Sequence, residues 1–259
     1  MLLRDYEDKK ESIVSRVKSA IRENNFYCTY QPIVELETMK VVGVEVLARL
    51  RDNYGVMKPD DFIPVIMELG NTWDFTCMML SKSLDELSSI STIDESFMLN
   101  VNVFASDISN HEIINIHRLP SVKNFRGKIV LEITESEYLD DKTSQNHISQ
   151  LRDKGITVVI DDFGSGYSNF NQLRKVQSNT LKIDKSFTLD IDEVAIQSSL
   201  IFSIVTVAKQ QNMSVIAEGI ETEKQLRILQ TIGVEYGQGR LIADPMILNH
   251  LVKYSDQIS

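Results

Sequence analysis

Cysteine is scarce in this 259-residue chain, with only two residues, Cys28 and Cys77. Two thiols are too few for a disulfide framework, and neither stands in a CxxC or metal-ligand spacing. Free thiols in a reducing cytoplasm are the expectation. Glycine (11) and proline (5) are too sparse for a collagen-like or low-complexity chain. Long apolar runs are missing: none approaches the ~18 residues of a membrane span. The start, Met1 to Lys10, is charged by Arg4 and lacks the apolar core of a signal peptide. Basic residues are in deficit, 27 against 37 acidic, for a formal charge of −10. That balance disfavours duplex nucleic acid and anionic membrane as partners, since both need basic patches. It leaves room for a nucleotide ligand, because a few metal ions or one arginine invert a local field. The 42% apolar content is enough for a core and excludes disorder for the bulk of the chain.

What is present is a rhythm. Residues 6–24 place Ile13, Val14, Val17, Ala20 and Ile21 on one helical face, either an interaction helix or one packed on its own domain. Beyond it, short Val/Ile/Leu runs alternate with helical segments. Strands are predicted at Phe26 to Val34, Val41 to Leu47, Phe97 to Val103, Lys128 to Ile133, Ile156 to Ile160, Thr180 to Ile183 and Ser214 to Ala217, with a weaker one near Val234. Helices are predicted from Lys142 to Lys154, stopping at Gly155, and from Val194 to Gln211. Thr222 followed by Gln225 is a capping-box signature for a third. Seven or eight strands in ~250 residues with helices between suit a single-domain (β/α)8 barrel. A doubly wound sheet would announce itself with GxGxxG or GxxxxGK[ST], and neither occurs.

Polar residues recur late in the strands: Glu45, Asn102, Glu132 with Glu135, the pair Asp161 and Asp162, Lys182, Glu218 with Glu221, and Gln238. In a barrel such positions converge on one mouth. Each acid alone reads as a helix cap, but five carboxylates together do not. Like charges 4 Å apart repel by ~4 kcal/mol at an effective dielectric near 20. Either several are protonated or the mouth holds divalent metal. Oxygen donors without nearby thiolate or imidazole suit Mg²⁺ or Mn²⁺ rather than zinc. Adjacent aspartates suit two ions, the clamp for in-line displacement at phosphorus, and a lysine beside them suits orienting the water. The Asp162-Phe163-Gly164-Ser165-Gly166 turn reads equally as a closing loop or as a plain turn. The HRD and glycine-rich loops of a kinase are missing.

Read in order, these segments resemble the EAL-domain family of bacterial cyclic diguanylate (c-di-GMP) phosphodiesterases. The segments are Tyr30-Gln31-Pro32-Ile33, Glu45-Val46-Leu47 with Arg49, Phe62-Ile63-Pro64, Val101-Asn102-Val103, Glu132-Ile133-Thr134-Glu135, Asp161 to Ser168, Leu181-Lys182-Ile183-Asp184, Glu218-Gly219-Ile220-Glu221 and Gln238-Gly239. The resemblance spans residues 25–250 and implies a modified (β/α)8 barrel over residues 25–259, preceded by the amphipathic helix of residues 1–24. It implies hydrolysis of c-di-GMP to linear pGpG with two Mg²⁺ or Mn²⁺ ions. Glu45, Asn102, Glu132 and Asp161 would hold one ion, and Asp161 would bridge to the second, held also by Asp162. Lys182 would position the attacking water. Glu218 would be a second-metal ligand or act in the base network. Glu135 would brace the 162–168 loop, and Gln31, Leu47, Arg49, Glu221 and Gln238 would contact the nucleotide. A homodimer and a cytoplasmic location are expected.

The chain departs from the family at Val46 (usually alanine), Phe104 (serine), Ser165 (threonine), Asn169 (serine), Met67 (an acid) and Arg240 (an aromatic). None is a residue assigned to metal or catalysis. With no room for a cyclase or full sensory domain, signal input would come from expression, a regulatory protein partner or the N-terminal helix. The alternative from another class is a catalytically silent barrel that binds c-di-GMP or a protein as an effector.

Overall fold

The computed structural model describes residues 2–91, 93–134, 141–163, 178–189, 191 and 195–257. Nine strands make one sheet: β1 (Phe26–Glu35), β2 (Val41–Asp52), β3 (Gly55–Met57), β4 (Met98–Asn102), β5 (Lys128–Thr134), β6 (Ile156–Asp161), β7 (Thr180–Ile183), β8 (Ser214–Ala217) and β9 (Tyr236–Gly237). Eight of them run in the order β6-β5-β4-β2-β1-β9-β8-β7, with β3 paired to β2 outside that path. A parallel bridge between Phe163 and Ile183 brings the two ends of the path together, so the sheet curls into a barrel. β1 runs antiparallel to both neighbours, β2 and β9, while β2-β4-β5-β6 and β7-β8-β9 are parallel.

The strand residues explain this arrangement. Parallel strands covered by helices are buried on both faces and therefore read as near-continuous apolar runs. Leu99 and Val101, Val130 and Leu131, Val158 to Ile160, and Val215 to Ala217 are all buried. Polar residues interrupting those runs must point inward toward one another. Most predicted strands appear where the runs are, β2 continuing past Leu47 to Asp52 and the weak one falling at Tyr236–Gly237. β3 has no such run; Val56 is exposed, and its place comes from register alone, Asp52 opposite Gly55 and Leu50 opposite Met57.

The helices carry the expected punctuation. Residues Leu2–Glu23 form the first; Val17 and Ala20 are buried, and the Arg16 guanidinium grips Asp52 through Nε–Oδ2 (2.6 Å) and Nη2–Oδ1 (3.0 Å). It packs on its own barrel. The helix Lys142–Arg152 starts on the Asp141 side chain, which accepts from the Thr143 and Ser144 amides, and stops short of Gly155 at φ +80°. The helix Glu223–Ile232 opens on a reciprocal capping box: Thr222 accepts from Gln225 N while Gln225 Oε1 accepts from Thr222 N. The helix Ala195–Gln210 lies where predicted. An edge-to-face cluster of Phe26, Phe62, Phe75 and Phe104, with centroids 5.1–6.4 Å apart, fills the space outside β1 and β4. Phe104 is thereby a core residue, as is Val46, whereas Met67 is exposed.

Candidate metal and catalytic centre

The inward polar residues meet around one ammonium group. Lys182, on β7, is fully buried, and its Nζ lies 2.7 Å from Glu218 Oε1, 2.8 Å from Glu132 Oε1, 2.9 Å from Asp161 Oδ1 and 3.8 Å from Glu45 Oε2. These carboxylates come from β5, β6, β2 and the end of β8, so the cluster exists only because the barrel closes. Amides fill the gaps. Asn102 Nδ2 donates to Glu45 Oε1 (2.9 Å), Asn100 Nδ2 to Glu132 Oε1 (2.6 Å), and Gln238 Nε2 to both Glu45 Oε2 (2.6 Å) and Glu218 Oε1 (3.1 Å). Gln238 is placed by Gly239, whose added Cβ would strike the Ile220 backbone.

Charge at this centre is unbalanced. Burial alone would lower the Lys182 pKa, but Asp161, Glu132, Glu218 and Glu45 together raise it well above the usual value, so it stays an ammonium. The acids respond in the opposite sense. Glu132 is pushed up by burial, with Asp161 and Glu45 adding repulsion and Lys182 opposing it. Glu218 is pushed up to about 8 by burial, and Asp162 to about 6 by burial and the Asp161 charge. Asp162 shares a hydrogen bond with Asp184, which is held below its usual value even though burial opposes this. Asp162 also sits at φ +54°, a left-handed conformation that aspartate tolerates better than most residues. Among the described residues one cation faces five carboxylates, and the deficit of positive charge shows in the raised pKa values of Glu132, Glu218 and Asp162.

A divalent cation would also offset it. Two groups of ligand atoms lie within 4.8 Å of one another: Glu45, Glu132 and Asp161, and Asp161, Asp162 and Glu218. Asp161 belongs to both. Glu132 Oε2 is buried without a hydrogen-bond partner, an acceptor that a hard cation would satisfy. The donor set is all oxygen, which matches Mg²⁺ or Mn²⁺ chemistry.

Of the remaining predicted residues, the structure describes Gln31, Leu47, Arg49 and Glu221. Gln31 lies directly opposite Glu45 across the β1–β2 ladder and donates to Ala243 O at 3.3 Å. Leu47 and Arg49 follow Glu45 on β2 at two-residue steps, on the same face. The Arg49 pKa is lowered by partial burial, which Glu45 opposes. Glu221 is half-exposed at the rim, its amide held by Gln225 Oε1 and its carboxylate 3.7 Å from Arg240. Glu135 and residues 164–168 of the glycine-serine loop lie outside the described residues. Two residues went unassigned in the sequence. Asn100 was signalled by a second amide at the same parity as Asn102 in an apolar strand, and Asp184 by an acid two residues past Lys182.

A family model, EAL domain, matches residues 14–245. A probable cyclic di-GMP phosphodiesterase of Escherichia coli K12, PdeB, is 31% identical over 246 residues, covering 93% of this chain and 47% of the relative. The Pseudomonas aeruginosa cyclic di-GMP phosphodiesterase PA2567 is 31% identical over 233 residues, covering 88% of this chain and 40% of the relative. This chain thus spans about half or less of these relatives. Among solved structures, the EAL enzyme Bd1971 in its cAMP- and cyclic-di-GMP-bound form aligns with a TM-score of 0.89 at 26% identity, over 96% of this chain and 70% of that one. The PaMucR phosphodiesterase in complex with c-di-GMP gives a TM-score of 0.84 at 25% identity, over 93% and 99%. With the model matching from the first helix to beyond Gln238, and with barrel and acidic mouth in agreement, the chain belongs to the EAL domain family.

Proposed function

We propose that this chain hydrolyses one phosphodiester of c-di-GMP to linear pGpG with two bound Mg²⁺ or Mn²⁺ ions. The observation that carries the reading is the pair of overlapping carboxylate groups with Asp161 common to both. It is supported by the names of the relatives and by the c-di-GMP in related structures.

In this reading Glu45, Asn102, Glu132 and Asp161 would hold the first ion, and Asp161 with Asp162 would hold the second. When bound, the two ions activate water and neutralise charge on the phosphoryl oxygens. Lys182 holds its proton throughout, since four carboxylates surround it, and orients the attacking water as a donor. Glu218, with its raised pKa, is placed to ligate the second ion or to take up a proton from that water. Gln238 Nε2 bridges Glu45 and Glu218 by donating to both. Gln31, Leu47, Arg49, Glu221 and Gln238 would contact the nucleotide or its phosphates. Glu135 bracing the 162–168 loop belongs to the same proposal.

The wider context is also proposed. Residues 25–259 would form the catalytic barrel and 1–24 its N-terminal helix. A homodimer fits the exposed Leu200 and Phe202 on one helix, and a cytoplasmic location fits the two unlinked thiols. Among the described residues, no helix is long and apolar enough to cross a membrane.

Purified protein incubated with Mn²⁺ and c-di-GMP should release pGpG, and chelator or Glu45→Ala should abolish the release. Binding of c-di-GMP at saturating Mn²⁺ without turnover would overturn the catalytic reading in favour of a silent effector.

A further inference from the structure

Two asparagines on β4, Asn100 and Asn102, stand two residues apart and so share the face that looks into the barrel. Asn102 is at the mouth and donates to Glu45. Asn100 is one layer deeper, 1% exposed, between buried Leu99 and Val101. A primary amide at that depth weakens the fold unless its groups are paired, and Asn100 Oδ1 has no partner. An apolar residue would fill the same volume without that penalty. What the amide accomplishes is visible on its other side, where Nδ2 donates to Glu132 Oε1 at 2.6 Å.

Glu132 is consequently asymmetric. Its Oε1 accepts from Asn100 Nδ2 and forms an ion pair with Lys182 Nζ at 2.8 Å, while its buried Oε2 has no hydrogen-bond partner among the described residues. Lys182 lies within 3 Å of three carboxylates, so it fixes no one of them alone. The Asn100 amide serves Glu132 only. Turning the carboxylate about its terminal bond would break its contacts at Oε1, so the two oxygens have distinct tasks.

We propose that Asn100 is a positioning residue for the metal centre: by pinning Glu132 Oε1, it presents Glu132 Oε2 as a ligand to the divalent cation of the Glu45–Glu132–Asp161 group. The inference rests on the metal reading above and adds a residue that touches neither cation nor substrate. Partners of ligating groups typically govern metal affinity by 10–100-fold.

The test is Mn²⁺ binding without nucleotide, followed by the electron paramagnetic resonance of free Mn²⁺, for wild type, Asn100→Leu and the smaller Asn100→Ala. Both variants should bind one of two ions about tenfold or more weakly. KM for c-di-GMP at saturating Mn²⁺ should be unchanged. Asn100→Leu combined with Glu132→Gln should bind no more weakly than Glu132→Gln alone, which a purely structural role for Asn100 would not produce. Wild-type Mn²⁺ affinity in both variants would overturn the inference while leaving the metal reading intact. Absence of Mn²⁺ uptake by wild type would overturn both.

Discussion

Lys182 illustrates how a residue that is ordinary in sequence becomes decisive in place. In the run Leu181-Lys182-Ile183 it reads as a solvated side chain, yet it is fully buried among acids from three other strands and the end of β8. Removing one partner from such a buried ion cluster typically costs about 3–5 kcal/mol. Lys182→Met should therefore lower the unfolding temperature of the metal-free protein strongly, and Mn²⁺ should restore part of the loss, as differential scanning fluorimetry would show. The acids set a pH dependence of definite sign. Glu218 rises from an ordinary 4.5 to about 8 on folding. Its contribution to metal-free stability is complete below about pH 4.5 and is lost as pH rises through about 8. Cations compete with the same protons, so the Mn²⁺-induced rise in unfolding temperature should be larger at pH 8 than at pH 6. An equal or smaller rise at pH 8 would mean that protons do not compete with metal at these carboxylates. The acids, Asn102 and Lys182 were legible only together: each alone reads as a cap or a solvated side chain, and their recurrence late in successive strands points to one mouth. Asn100 and Asp184 were not, because their importance comes through Glu132 and Asp162, neighbours that only the closed barrel supplies.

Elements were legible where burial dictates composition. β5 and β6 are near-continuous apolar runs because both faces are covered, and each extends by only one residue beyond its predicted span. β3 and β9 are three and two residues long, too short to carry any period, and pairing alone makes them strands. Helix starts were legible when the cap is a side-chain device. Thr222 with Gln225 satisfies amides that the first turn leaves free, and Leu226 and Leu229 then face the core. Losing such a cap typically costs about 1 kcal/mol. Thr222→Ala should lower the urea midpoint accordingly while leaving Mn²⁺ affinity unchanged, since the cap touches no ligand. A change in metal binding would show that the Glu221 segment is coupled to the centre through this helix start.

At the scale of the whole molecule, the acidic surplus and the barrel are parts of one design. A chain at −10 that gathers five carboxylates inside a closed sheet pays in repulsion unless cations enter. Barrel closure brings β2, β5, β6, β7 and the end of β8 to one mouth, so no single element carries the site. The ordered motifs pointed to that convergence, since their sequence order follows the strand order around a barrel that is parallel except at β1. In the Asp162 to Ser168 segment two glycines and two serines leave no hydrophobic period from which an element could be read. The most direct test of the two-ion centre is calorimetric titration of Mn²⁺ into the metal-free protein, wild type beside Asp161→Asn. The expected result is two ions per wild-type chain and loss of both high-affinity sites in the variant, because Asp161 belongs to both groups. No uptake by the wild type, or two tight ions retained by Asp161→Asn, would contradict it.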